Sequence, residues 1–126
     1  MKKKVLIIDD NEELFMLVEI IFLDIGYEII GTADSTRAFE YAVKENPDII
    51  ILDIMMPRMS GWDVLKQIKI NNDTKHIPVL MLSVKADRDE KEKSRKLGAD
   101  TIMRKPFQSE ELIEAVTKII EEKNFK

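Results

Sequence analysis

The sequence predicts an α/β fold, a doubly wound parallel sheet of five strands with helices on both faces. The apolar residues fall in short, continuous, β-branched runs: Val5–Ile8, Ile29–Ile30 with Tyr27, Ile49–Leu52, Val79–Leu82 and Ile102–Met103. Runs without alternation suit strands buried on both faces, the pattern of a parallel sheet. The runs start at residues 5, 27, 49, 79 and 102, which leaves room after each for one helix and two short loops. A βα unit is therefore taken five times.

The helices have their own local reasons. Over Glu12–Ile25, Leu14, Phe15, Leu17, Val18, Ile21, Phe22 and Ile25 recur at helical spacing. Glu12 and Glu13 complement the positive end of the helix dipole, and Gly26 suits the position just past the last turn. A second helix over Ser35–Glu45 places Ala38, Phe39, Ala42 and Val43 on one side and stops before Pro47. The third, Gly61–Ile70, offers Trp62, Leu65 and Ile68. The fifth, Ser109–Glu121, opens with Ser109-Glu110-Glu111-Leu112, close to a capping box, and continues through Ile113, Val116, Ile119 and Ile120. The fourth differs in kind. From Asp87 to Lys96 there is no aliphatic or aromatic side chain, so this helix is expected to be short, loosely packed or mobile.

With 126 residues, 35% of them charged and 44% hydrophobic, the chain suits one domain. That domain is expected to fill residues 1–126, with its core at about 3–122 and no output domain. Having no cysteine excludes disulfide scaffolds, Fe–S clusters, thiol catalysis and zinc fingers. The single histidine, His76, excludes a His-rich metal site and reads as a loop residue. A net charge of −4 disfavours sequence-independent nucleic-acid binding. Val5–Ile8 is too short for a signal-peptide core, and no run reaches the ~18 apolar residues that span a bilayer. A cytoplasmic protein without membrane insertion is expected.

In a parallel βα sheet the ligand site forms beyond the carboxyl ends of the strands. The first run is followed there by Asp9-Asp10, the third by Asp53, the fourth by Ser83 and the fifth, two residues on, by Lys105. Two unit charges ~4 Å apart repel by ~4 kcal/mol at an effective dielectric near 20, so three carboxylates need a counter-charge. Protonation would supply it, or a hard divalent cation such as Mg²⁺ or Mn²⁺, which suits oxygen-only ligands. Such a cation together with Lys105 would balance the three carboxylates. The site would then accept a phosphoryl group, one carboxylate acting as the nucleophile that forms an aspartyl-phosphate.

Five segments in order now carry a family resemblance: Val5-Leu6-Ile7-Ile8-Asp9-Asp10-Asn11, Pro47 to Pro57 around Leu52-Asp53, Met59-Ser60-Gly61, Ile77-Pro78-Val79-Leu80-Met81-Leu82-Ser83, and Leu97-Gly98-Ala99-Asp100 running to Lys105-Pro106-Phe107. Over essentially its whole length the sequence resembles the receiver domain of two-component response regulators. The resemblance implies the flavodoxin-like (βα)5 fold with strand order 2-1-3-4-5. It implies that Asp53 accepts a phosphoryl group from a sensor histidine kinase in a Mg-dependent reaction, with Mn or Ca able to substitute. Asp10, Asp53 and the Met55 backbone carbonyl would hold the metal directly, and Asp9 through a water. Ser83 would hydrogen-bond one phosphoryl oxygen, Lys105 would pair with another, and the Lys105–Pro106 peptide would be cis.

By the same resemblance, phosphorylation would switch the surface around the fourth strand, fourth helix and fifth strand. A downstream effector or a phosphotransfer protein would dock on the face of the fourth helix, fifth strand and fifth helix, without direct contact with nucleic acid. Such a protein is a switch that promotes its own phosphorylation and dephosphorylation rather than a turnover enzyme. Two positions depart from the family pattern. Ile102 stands where an aromatic is usual, and Val84 is bulkier than the residue common after the Ser83 position. Without the aromatic, signalling is expected to lean on reordering of the polar fourth helix. Trp62 is expected to be partly packed, and Met55, Met56 and Met59 to form a soft rim beside Asp53.

Other readings use the same architecture. One is a single-domain relay intermediate. Another is a metal-dependent phosphatase with an aspartate nucleophile, but the haloacid-dehalogenase pattern needs a second Asp two residues on, where this chain has Met55. No Gly-x-x-x-x-Gly-Lys-Ser/Thr loop is present, which removes a P-loop nucleotidase. A flavodoxin-like cofactor binder would need a Ser/Thr-Gly-rich loop where Asp9-Asp10 would instead repel phosphate.

Overall fold

Five strands, β1 (Lys4–Ile8), β2 (Glu28–Thr32), β3 (Ile49–Asp53), β4 (Val79–Ser83) and β5 (Thr101–Arg104), pair in parallel in the order β2-β1-β3-β4-β5. The helices are α1 (Glu12–Asp24), α2 (Ala38–Glu45), α3 (Gly61–Ile70), α4 (Arg88–Lys96) and α5 (Ser109–Asn124). This computed structural model describes residues 2–124; Met1, Phe125 and Lys126, at the ends of the expected domain, lie outside the described residues.

Successive strand side chains point to opposite faces, and that alternation builds two cores. Val5, Ile7, Ile49, Ile51, Leu80 and Leu82 pack with Val18, Ile21 and Phe22 of α1 and with Leu112, Val116, Ile119 and Ile120 of α5. Leu6, Ile8, Ile50, Leu52, Val79 and Met81 pack on the other face with Ala38 and Ala42 of α2 and Val64, Leu65 and Ile68 of α3. Doubly wound is therefore the right description.

Expectation and structure differ in detail at four places. The unbroken apolar runs mean burial on both faces for β3 and β4 and nearly all of β1, whereas β2 and β5 are half-buried. The order leaves those two strands at the edges, each with one neighbour. Tyr27 precedes β2 instead of belonging to it and stacks on Phe22 with ring centroids 5.5 Å apart. Ser35–Arg37 forms a single 3₁₀ turn, because Asp34 accepts from the Thr36 amide at 3.0 Å and tightens the entry, so α2 begins only at Ala38. At α5, Ser109 is already helical; the bracing bond runs from the Gln108 amide to Glu111 Oε1 at 3.0 Å, one residue earlier than the capping-box reading.

The polar fourth helix is nine residues long, and Ser94 is its one buried side chain. Asp87 caps it, accepting from the Glu90 amide at 2.9 Å. Leu97, just past its end, supplies apolar contact with the second core.

Candidate functional site

Strand register brings the chemistry together. Ile8 lies beside Leu52, Asp53 beside Leu82, and Ser83 beside Arg104, so Asp9 and Lys105 emerge at the same edge as Asp53 and Ser83. Backbone bonds pin these strand ends. The Asp9 amide donates to the Thr32 carbonyl at 3.2 Å, Ile54 to Leu82 at 3.1 Å, and Lys105 to Ser83 at 2.8 Å. Beneath Asp53, the Gly61 amide donates to the Ile54 carbonyl at 2.8 Å. A Cβ at Gly61 would overlap the Asp53 carbonyl oxygen and come within 2.7 Å of the Ile54 Cα, so only glycine lets α3 start against the acidic loop.

Carboxylate oxygens of Asp9, Asp10 and Asp53 lie within 4.8 Å of one another. Asp9 and Asp53 are buried, and Asp10 is exposed at the mouth. Lys105 Nζ donates to Asp9 Oδ2 at 3.0 Å and to Asp53 Oδ1 at 3.1 Å. The other Asp9 oxygen accepts from the Asn11 amide at 2.9 Å. One ammonium thus faces three carboxylates. Burial, and next the Asp9 charge, push the Asp53 carboxyl above the usual carboxylate range despite Lys105. Burial alone would lower the Lys105 ammonium, but its bonds and charge pairing with Asp9 and Asp53 outweigh this and hold it above the usual lysine value. An all-oxygen, net-negative donor set of this kind is compatible with a hard divalent cation.

The remaining expected site residues are placed as follows. The Lys105–Pro106 peptide is cis. Met55 is 74% exposed at the rim, while Met56 and Met59 are half-buried against the second core. Ile102 is half-buried against that same core. Val84 is 60% exposed and lines a cleft with Lys105, Pro106, Leu14 and Leu17. His76 lies before β4, at the opposite end of the strands, with Nε2 3.1 Å from Asn46 Oδ1. Trp62 carries the Lys93 ammonium 4.6 Å from its ring centroid.

Sequence reasoning missed two residues. Asn11, quoted only as part of a motif, caps α1 by accepting from the Leu14 amide at 3.1 Å, and its own amide holds Asp9. Glu90 was hidden in the charged run, yet its Oε1 accepts the Ser83 hydroxyl proton at 2.5 Å. The signal available for it was its place three residues after the cap Asp87, where a glutamate reaches back over the helix start.

The fold and this acidic strand-end site define a class of signalling switch. Residues 5–117 match the response regulator receiver domain, and the chain belongs to that family. It is 36% identical to the alkaline phosphatase synthesis transcriptional regulatory protein PhoP of Bacillus subtilis, over 95% of this chain and 49% of that protein. It thus spans about half the length of that relative. Sporulation initiation phosphotransferase F of Bacillus subtilis is 32% identical, over 95% of each chain. The structure of chemotaxis protein CheY4 of Vibrio cholerae superposes with a TM-score of 0.89 at 31% identity, covering 94% of this chain and 99% of that one. The protein is a phospho-accepting receiver of two-component signalling, and receivers of this family interact with histidine kinases and effectors. No helix among the described residues is long and apolar enough to cross a membrane.

Proposed function

We propose that Asp53 is the phospho-acceptor, taking its phosphoryl group from the phosphohistidine of a sensor histidine kinase. The observation that carries this reading is the Lys105 bridge: one half-buried ammonium spans Asp9 and Asp53 within a three-carboxylate cluster. Of the three, Asp9 has one oxygen on the Asn11 amide and the other on Lys105, and Asp10 lies exposed at the rim. Asp53 ends the central strand β3 on a backbone fixed by Gly61, which supports a nucleophile held in one position.

Asp10, Asp53 and the Met55 carbonyl are the proposed ligands of Mg²⁺, with Asp9 acting through a water and Mn or Ca able to substitute. When bound, the cation supplies charge neutralisation for the carboxylates and for the phosphoryl oxygens. An Asp53 oxygen bonds to phosphorus as the phosphorus–nitrogen bond to the donor imidazole breaks. Lys105 then pairs with one phosphoryl oxygen, and Ser83 donates to another.

The carboxylate becomes a group of roughly −2 charge, which biases the surface of β4, α4 and β5. A cytoplasmic effector or phosphotransfer protein docking on α4, β5 and α5 reads that change. The functional unit is one receiver domain with its core at residues 3–122.

Incubation with acetyl phosphate and Mg²⁺, followed by intact-mass measurement, tests the assignment. One hydroxylamine-labile phosphoryl group per chain is expected, with none after chelation of the metal and none on Asp53→Ala. Retained labelling of Asp53→Ala overturns the choice of acceptor.

A further inference from the structure

Ser83 is buried at the end of β4 with every hydrogen-bonding capacity of its hydroxyl committed. It donates to Glu90 Oε1 at 2.5 Å and accepts from the Lys85 amide at 3.1 Å and the Ala86 amide at 3.3 Å. A hydroxyl has one proton and two lone pairs, so none is left for a phosphoryl oxygen. The same Glu90 oxygen also accepts from the Ala86 amide at 3.0 Å. Ala86 sits at φ 45°, a left-handed conformation costly for alanine, and these two acceptors hold its N–H there. One carboxylate thus ties together the strand end, the loop after it and the first turn of α4.

We propose that Glu90 is a positioning residue, a latch that withholds the Ser83 proton until Asp53 is phosphorylated and couples its release to movement of α4. The inference rests on the reading of Asp53 as acceptor. In the switch, the Ser83 hydrogen bond exchanges from the Glu90 carboxylate to a phosphoryl oxygen, and no covalent bond changes. The carboxylate is then left near a group of like charge, roughly −2, and is expelled. With it goes the first turn of a helix whose one buried side chain is Ser94, so little apolar contact resists. Lys93, three residues on, lies over Trp62, so the displacement registers in the emission of the chain's single tryptophan.

Beryllofluoride with Mg²⁺, titrated calorimetrically and by tryptophan fluorescence, tests this on wild type, Glu90→Ala, Glu90→Gln, Ser83→Ala and the Ser83→Ala/Glu90→Ala pair. Removing a charge-assisted competitor is expected to tighten beryllofluoride binding about tenfold in Glu90→Ala. Glu90→Gln keeps a neutral acceptor and gains less. In the Ser83→Ala background the gain from Glu90→Ala falls below about threefold, because the two side chains act on one bond. Before any ligand is added, Glu90→Ala emission already lies toward the bound value.

Unchanged affinity in Glu90→Ala, or a full gain without Ser83, overturns the latch. If Glu90→Ala does not fold, Glu90→Gln, which retains an acceptor for the Ala86 amide, decides by the same criteria. Wild type that binds no beryllofluoride overturns the acceptor reading and the latch together; wild type that binds while both Glu90 variants match it overturns the latch alone.

Discussion

Helices α3 and α4 follow the two strands that bring Asp53 and Ser83 to the site, and they are held in opposite ways. α3 buries Val64, Leu65 and Ile68 and starts at Gly61, wedged against the Asp53 backbone. α4 buries only Ser94, and its ties are the Asp87 cap, the Glu90–Ser83 bond and the Lys93–Trp62 contact. Apolar burial is non-directional and is lost only when the whole face separates. A polar tie is directional and exchanges readily for another partner of similar strength. One side of the site is therefore built to stay put, and the other to trade its contacts.

The strongest way to break this contrast is to truncate one buried side chain on each helix. Leu65→Ala is expected to cost about 3 kcal/mol in chemical denaturation, the sum of lost transfer energy and a residual cavity. Ser94→Ala is expected to cost nothing, since the Ser94 hydroxyl is buried without a hydrogen-bond partner. Equal losses from the two would show that α4 is anchored by packing after all.

Next in size is Gly61→Ala, with a loss of about 2 kcal/mol from overlap with the Asp53 backbone. Because the displaced backbone carries the acceptor, Mg²⁺ affinity measured by calorimetry falls as well. Unchanged metal binding would mean that α3 is not what fixes Asp53.

A smaller effect comes from the charge cluster itself. The Asp53 carboxyl holds its proton more tightly in the folded chain than in the unfolded one. Metal-free protein therefore loses stability as pH rises from the ordinary carboxylate value through the raised one. Asp53→Asn removes that slope and is expected to be more stable than the wild type where the Asp53 carboxylate is ionised. Thermal melts in chelator across pH 3 to 8 measure both. Smallest of all is Lys93→Ala, expected to cost about 0.5 kcal/mol and to shift the Trp62 emission.

Much of this was legible in the residue pattern. The five apolar runs located every strand to within two residues at either end; burial on both faces leaves β1, β3 and β4 with no polar interruption, while the half-buried edge strands β2 and β5 carry shorter runs. Asp9, Asp10, Asp53 and Lys105 could be assigned to one edge because a parallel sheet puts all its strand ends on the same side. The polar run from Asp87 to Lys96 foretold the weak burial of α4. What the pattern did not carry was the partner of Ser83. A hydroxyl's bond depends on which side chain the next helix turns toward it, and Glu90 looks in sequence like any of its charged neighbours.

By itself, then, the order of residues determined the βα repeat, the two-sided core and the identity of the groups at the site, since each follows from local periodicity or chain direction. Tertiary structure alone decided which strands became half-exposed edges, that Lys105 spans Asp9 and Asp53, and that the Ser83 proton rests on Glu90. Those depend on strand order and on distances between residues far apart in the chain, and short-range spacing does not encode them.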